Sequence, residues 1–145
     1  VDWGERRVGI AVSDPQGVIA TGLTTLQVNG EEQAVARVAE VVREQEAELV
    51  VVGMPLLMSG ERGEAAEAAQ RFADLLGRRT GLPVDTYDER LTSALSERRL
   101  REVGVRRTGH KKERVDQGAA VALLESYLQR LASRAGDAGP TEPGA

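Results

Sequence analysis

The chain has 145 residues, 41% of them apolar and 29% charged, with a formal net charge of −4, which suits one globular domain with a real core. It has no cysteine, which excludes disulfides and thiolate zinc sites and points to a reducing compartment, the cytoplasm. No apolar run approaches the ~20 residues that span a bilayer and no signal-peptide pattern is present, so no membrane partner is expected. The charge is unevenly spread: residues 98–114 carry eight Lys/Arg against two Glu, so one segment of +6 sits on a body of −10. That segment is either an electropositive face for nucleic acid or a solvated surface, and composition weights the two equally.

In chain order, Val8, Ile10 and Val12 alternate with Gly9, Ala11 and Ser13, a period of two with one bulky and one small face, hence a strand. Gly4-Glu5-Arg6-Arg7 reads as a hairpin loop from a preceding strand around Asp2. The numbering opens inside that strand and without Met, which leaves room for residues upstream of Val1. Asp14-Pro15-Gln16-Gly17 is a turn, and residues 18–26 a third, irregular strand. Val35, Val38 and Val42 then follow helical spacing, and residues 49–52 form a short apolar run typical of a strand buried on both faces. Residues 53–60 read as a loop. Ala65, Ala68, Ala69, Phe72, Leu75 and Leu76 make a helical stripe ending near Gly81, and residues 82–87 suit another strand. A helix capped by Thr92 or Ser93 is expected to run to Gly104, followed by a basic loop around His110. In the last helix Ala120, Leu123, Leu124, Tyr127 and Leu131 share one face, and the Gly/Pro-rich end reads as disordered. The expected fold is therefore α/β: a mixed five-stranded sheet, a three-strand antiparallel meander plus parallel strands, flanked by helices. It forms one domain over residues 1–135, with a disordered tail at 136–145.

Acids stand where the pattern favours apolar residues. Asp2 lies on the first strand, Asp88 and Glu89 lie where a strand gives way to a helix, and Asp116 lies at helical spacing ahead of Ala120 and Leu123. The field of a helix N-terminus favours a carboxylate by only ~0.3–1 kcal/mol, too little to offset burial. Each acid alone has an ordinary explanation: a helix cap at 88 or 89, a pairing of Asp2 with Arg7, or of Asp116 with Arg114 or Lys112. Three converging on one sheet end point instead to hard divalent cations, Mg²⁺ or Mn²⁺, and two such ions suit phosphodiester hydrolysis. Residues 53–60 lead toward a helix, where backbone N–H groups near Ser59 and Gly60 offer a phosphate contact, against the plainer reading of a strand-to-helix connection with a Ser cap.

DWGERRVGIAVSDPQG, ELVVVGMPLLMSGERG, FADLL, LPVDTYDERLTS and KKERVDQGAAVALLESYL resemble, in this order, the motifs of the YqgF/RuvX family, whose fold is ribonuclease-H-like and similar to Holliday-junction resolvases. The resemblance covers Asp2 to about Leu128. It implies a two-metal nuclease acting on structured nucleic acid, pre-16S rRNA in ribosome biogenesis or branched DNA. By motif position it makes Asp2, Glu89 and Asp116 the catalytic and metal-binding acids, Asp2 bridging two ions and the other two each completing one coordination sphere. Related enzymes commonly carry an acid at the end of the fourth strand. Here Gly53-Met54 stands there, so Glu89 must substitute. Arg7, Arg90, Arg106, Arg107, Lys111, Lys112 and Arg114 are the candidate contacts to nucleic acid. Junction cleavage would need two active sites and hence a homodimer, whereas end trimming needs one, with the ribosome as a candidate partner. The alternative class is a nucleic-acid-binding module without catalysis. A two-domain nucleotide clamp of the sugar-kinase type is excluded by length.

Overall fold

The computed structural model describes residues 1–92 and 109–138, with side chains described over 1–92 and 117–135. Strand β1 (Arg7–Ser13) pairs antiparallel with β2 (Ala20–Gln27), helix α1 (Glu31–Glu44) follows, then β3 (Val50–Met54), α2 (Glu64–Thr80), β4 (Val84–Asp88), a 3₁₀ turn at Glu89–Leu91, and the long helix α3 (Gly109–Ala138). β3 and β4 pair in parallel, Val50 opposite Val84 through Met54 opposite Asp88. The described ladders are thus two sheets of two strands. Val1 and Asp2 lie between them. Val1 N donates to Val51 O (2.6 Å) and Gly53 N donates to Val1 O (3.1 Å), while Asp2 and Gly9 exchange N–H···O bonds of 2.8 and 3.1 Å. The helix expected from residue 92 or 93 to 104 and the last residues, 139–145, lie outside the described residues.

The alternation along β3 divides the interior into two layers. Val50, Val52 and Met54 join Trp3, Val8, Ile10, the α1 residues Ala34, Val35, Val38 and Val42, and the α2 residues Ala66, Ala69, Phe72, Ala73 and Leu76. Val51 joins Tyr87 and, from α3, Ala119, Leu123 and Tyr127. The strand 50–54 is buried throughout, as its unbroken apolar run anticipates. The small face of β1 has a use here. Gly9 and Ala11 alternate with the bulky core residues, and across the ladder Gly22 lies so close to α3 that an added Cβ would stand 2.8 Å from Gln117 Oε1. Small residues on that side let α3 lie directly on β1 and β2.

Several local expectations shift. The loop expected around His110 is the first turn of α3, which starts at Gly109, and residues 136–138, expected in the tail, end that helix. Strand β2 begins at Ala20 and not at Val18, because the Asp14 carboxylate accepts the N–H groups of Val18 (2.7 Å) and Ile19 (2.8 Å) and holds them in the turn. Those two bonds, Ile19 first, hold the Asp14 carboxyl below the usual carboxylate range. The buried stripe of α2 is centred on Ala66, Ala69, Phe72, Ala73 and Leu76, leaving Ala65 exposed. Gly53 and Met54 belong to β3 and not to the loop. Leu131 is 41% exposed, since α3 has already reached the β1–β2 turn at Leu128, which lies against Gly17, and 131 is a turn further on.

Two aromatic pairs pin the layers. Trp3 and Phe72 stack with centroids 4.8 Å apart and planes 9° apart; Tyr87 and Tyr127 meet edge to face at 5.8 Å. Phe72→Leu keeps most of the volume but loses the stack, and is expected to lower unfolding stability by about 0.5–1.5 kcal/mol in urea titrations. The Tyr127 hydroxyl donates to Asp85 Oδ2 at 2.6 Å, and burial followed by that acceptor pushes its pKa up to about 12. A folded pKa above the unfolded value of about 10 means that this stabilisation is complete below pH 10 and is lost as pH rises from there to about 12. Thermal melts between pH 9 and 12 are expected to show the parent losing stability more steeply than Tyr127→Phe.

Candidate active site

Asp2 is 1% exposed, although its side chain is a carboxyl group. The bonds of its backbone to Gly9, and of Val1 to Val51 and Gly53, hold it between β1 and β3. Alternation then sends its neighbour Trp3 against Phe72 in the α1/α2 layer. Directly opposite Gly9, Asp2 belongs to the other face, the one that α3 covers. Gly4 closes the tight return to β1: a Cβ there would stand 2.6 Å from Arg7 O.

Glu89 is also 1% exposed. It follows the last residue of β4 and opens the 3₁₀ turn, whose cap is Asp88: the Asp88 carboxylate accepts Arg90 N at 2.9 Å. Arg90 also grips Asp88 with its guanidinium, Nε at 3.0 and 3.1 Å and Nη2 at 2.7 Å, and that bond holds the Asp88 carboxyl below its ordinary range. Thr92 secures the other end of the turn, its N–H and hydroxyl both donating to Glu89 O at 3.1 and 3.0 Å. Of the two adjacent acids, then, Asp88 caps and pairs, while Glu89 goes inward.

Gly53 makes room for it. A Cβ added at residue 53 would collide with Glu89 Oε1 and stand 2.8 Å from Leu123 Cδ1. The Glu89 carboxylate therefore lies over the Cα of Gly53, where a side chain from β3 would otherwise be. The space at the end of β3 is thus filled by a carboxylate that arrives from the residue after β4. The lone Gly inside VVVGM was the signal for it, because a glycine in a strand marks a close approach. Asp2 and Glu89 share one neighbourhood: Gly53, over which the Glu89 carboxylate lies, donates its N–H to the carbonyl of Val1, the residue before Asp2.

Asp116 lies in α3 at helical spacing ahead of the buried Ala119, Ala120 and Leu123. Its side chain, with those of Lys111, Lys112 and Arg114, lies outside the described residues, as do Arg106 and Arg107 altogether. Arg7 is half-buried on β1. Ser59 does not cap α2. It accepts Glu61 N at 3.3 Å within a closed turn in which Gly60 N donates to Leu57 O (2.8 Å) and Leu57 N to Glu61 O (3.0 Å), and α2 starts only at Glu64. Among the described residues no group of three His, Cys, Asp or Glu forms a metal cluster. The described pair offers oxygen donors alone, buried, from two segments far apart in the chain, and that donor chemistry fits Mg²⁺ or Mn²⁺. A cavity of about 620 Å³ opens at the other end of the sheet, by Val12–Asp14 and Leu49–Val51, away from Glu89.

Comparison with known proteins gives the family and the fold. The model of the family described as RuvX, Holliday junction resolvase, matches residues 1–130. The chain belongs to the RuvX family. A Chloroflexus aurantiacus relative provisionally named pre-16S rRNA nuclease is 47% identical over 88 residues, 61% of this chain and 58% of its own length. A Leuconostoc citreum relative of the same name is 40% identical over 90 residues, 61% of this chain and 63% of its own. The chain thus matches less than two thirds of these relatives. The RuvC structure of Thermus thermophilus, 19% identical, covers 90% of this chain and 93% of its own with a TM-score of 0.54. The same protein in complex with a Holliday junction substrate gives 0.54 at 20% identity, over 91% of this chain and 94% of its own. This RuvX chain and RuvC share an α/β fold. No described helix is long and apolar enough to cross a membrane.

Proposed function

We propose that the chain is a divalent-metal-dependent nuclease that hydrolyses phosphodiester bonds in structured nucleic acid, its role being 5′-end maturation of pre-16S rRNA in the cytoplasm. One observation carries this reading: two buried carboxylates come from neighbouring positions at the carboxyl end of the parallel strands, Glu89 over Gly53 and Asp2 next to Val1, whose carbonyl accepts Gly53 N–H. Asp2, Glu89 and Asp116 are the residues that would hold two Mg²⁺ or Mn²⁺ ions, which supply charge neutralisation at the phosphate and activation of water. The chain's own part is placement. β3 and β4 set the depth of Glu89, Gly53 gives it space, and the Asp88–Arg90 grip holds the turn. The hydrogen bonds of Val1 and Asp2 support a single five-stranded mixed sheet, β2-β1-Val1/Asp2-β3-β4, in a nuclease domain over residues 1–135. Arg7, Arg90, Arg106, Arg107, Lys111, Lys112 and Arg114 would follow the phosphate backbone, with Ser59 and Gly60 at the margin.

The family description favours a second reading, resolution of Holliday junctions, which would need two active sites and hence a homodimer. One assay tests both: a labelled pre-16S rRNA leader and a four-way DNA junction, each with Mg²⁺, Mn²⁺ or EDTA. Metal-dependent cutting of the leader supports the first reading and cutting of the junction the second. Tight binding without cutting in any metal leaves the non-catalytic module.

A further inference from the structure

Three of the large apolar side chains most exposed among the described residues stand at the carboxylate end of the sheet: Met58 at 71%, Leu57 at 51% and Leu91 at 49%. Leu57 and Met58 follow β3, and Leu91 ends the turn that Glu89 opens. The loop that displays the first two is tied down. Arg90, already clasping Asp88, donates from Nη1 to Met58 O at 3.3 Å. Gly60 has φ +90° and lies against the Arg90 guanidinium, where an added Cβ would meet Nη1 at 3.4 Å. Leu57 rests on Gly63, at whose Cα an added Cβ would be 3.4 Å from Leu57 Cδ2. One arginine therefore ties the neighbour of the buried Glu89 to an apolar tip.

The usual platform for a nucleobase is an aromatic ring. This chain has four aromatic residues, and all four are committed to core pairs, Trp3 with Phe72 and Tyr87 with Tyr127. Bringing a phosphate of a folded nucleic acid down to buried carboxylates pulls its nucleotide out of the stack, and the exposed base then needs an apolar surface. Aliphatic side chains serve this purpose as wedges in other complexes. We propose that Leu57 and Met58 form an aliphatic wedge that takes the place of a base-stacking partner beside the scissile phosphate. The ligand is a nucleobase flanking the cut, and the inference rests on the nuclease reading above.

The test is a 2-aminopurine walk along the strands of the pre-16S leader and the four-way junction, read by emission on binding Asp2→Asn protein, which holds without cutting. A several-fold rise at one or two positions is expected. Adding Leu57→Ser with Met58→Ser should remove it with only a small shift in the thermal melt, as Met58 is 71% and Leu57 51% exposed. With Asp2 intact, the double variant should cut on the order of tenfold to a hundredfold more slowly than the parent, and equally fast when that nucleotide is abasic. An emission rise that survives the double variant overturns the wedge, and so does equal cutting of the intact substrate. An emission rise with no cutting by the parent keeps the wedge and sinks the nuclease reading. Absence of binding at low salt sinks both.

Discussion

Asp2→Asn is expected to lower metal-dependent cleavage on the order of 10³-fold while leaving the fold intact, because a metal centre supplies several kcal/mol of transition-state stabilisation and each 1.36 kcal/mol is tenfold. The two side chains are isosteric, so the packing between β1 and β3 is unchanged. The ion itself gives a second reading. Mn²⁺ should raise the melting temperature of the parent, since a ligand that binds only the folded state stabilises it by mass action, and should raise that of Asp2→Asn far less. Equal cleavage by the two proteins would remove Asp2 from the site. Equal Mn²⁺ shifts would remove the metal from Asp2.

Gly53→Ala should have the next largest effect, and it acts through another residue. Its new Cβ collides with Glu89 Oε1 and stands 2.8 Å from Leu123 Cδ1, so either the carboxylate or α3 must move. Overpacking of this kind costs about 1–3 kcal/mol. A displacement near 1 Å at a reacting centre costs about 10²-fold in rate. Both losses are expected, in urea titration and in the cleavage assay. A double-mutant cycle separates the causes: pairing Gly53→Ala with Glu89→Ala removes one side of the collision, so the pair should be more stable than the sum of the single variants requires. Strict additivity would show that Glu89 is not what Gly53 accommodates.

Residue pattern alone left open which acid goes inward, and only the family resemblance picked Glu89. DER presents Asp88 and Glu89 side by side, and either suits a cap or a ligand. The choice follows from the parallel register that sets Gly53 opposite Tyr87 and Met54 opposite Asp88, leaving Glu89 to turn back over the glycine while Asp88 takes Arg90. Asp14 behaves as its DPQG context anticipates, and its carboxylate reaches two residues further, which is why the strand starts late at Ala20.

The amino-acid pattern alone determined the elements: the period of two along β1, the double burial of β3, the stripes of α1 and α2, and the family. It also singled out Asp2, since a carboxylate inside an apolar strand stands against its surroundings wherever the fold places it. The tertiary structure decided what depends on distance between segments far apart in the chain. Asp2 and Glu89 are separated by 87 positions and come to one end of the sheet because Val1–Asp2 pairs with β1 on one side and β3 on the other. Small residues at 9, 11, 22 and 53 read as weak strand formers in sequence. In space Gly22 and Gly53 are where α3 and a carboxylate come closest to the backbone, and no local propensity encodes that approach.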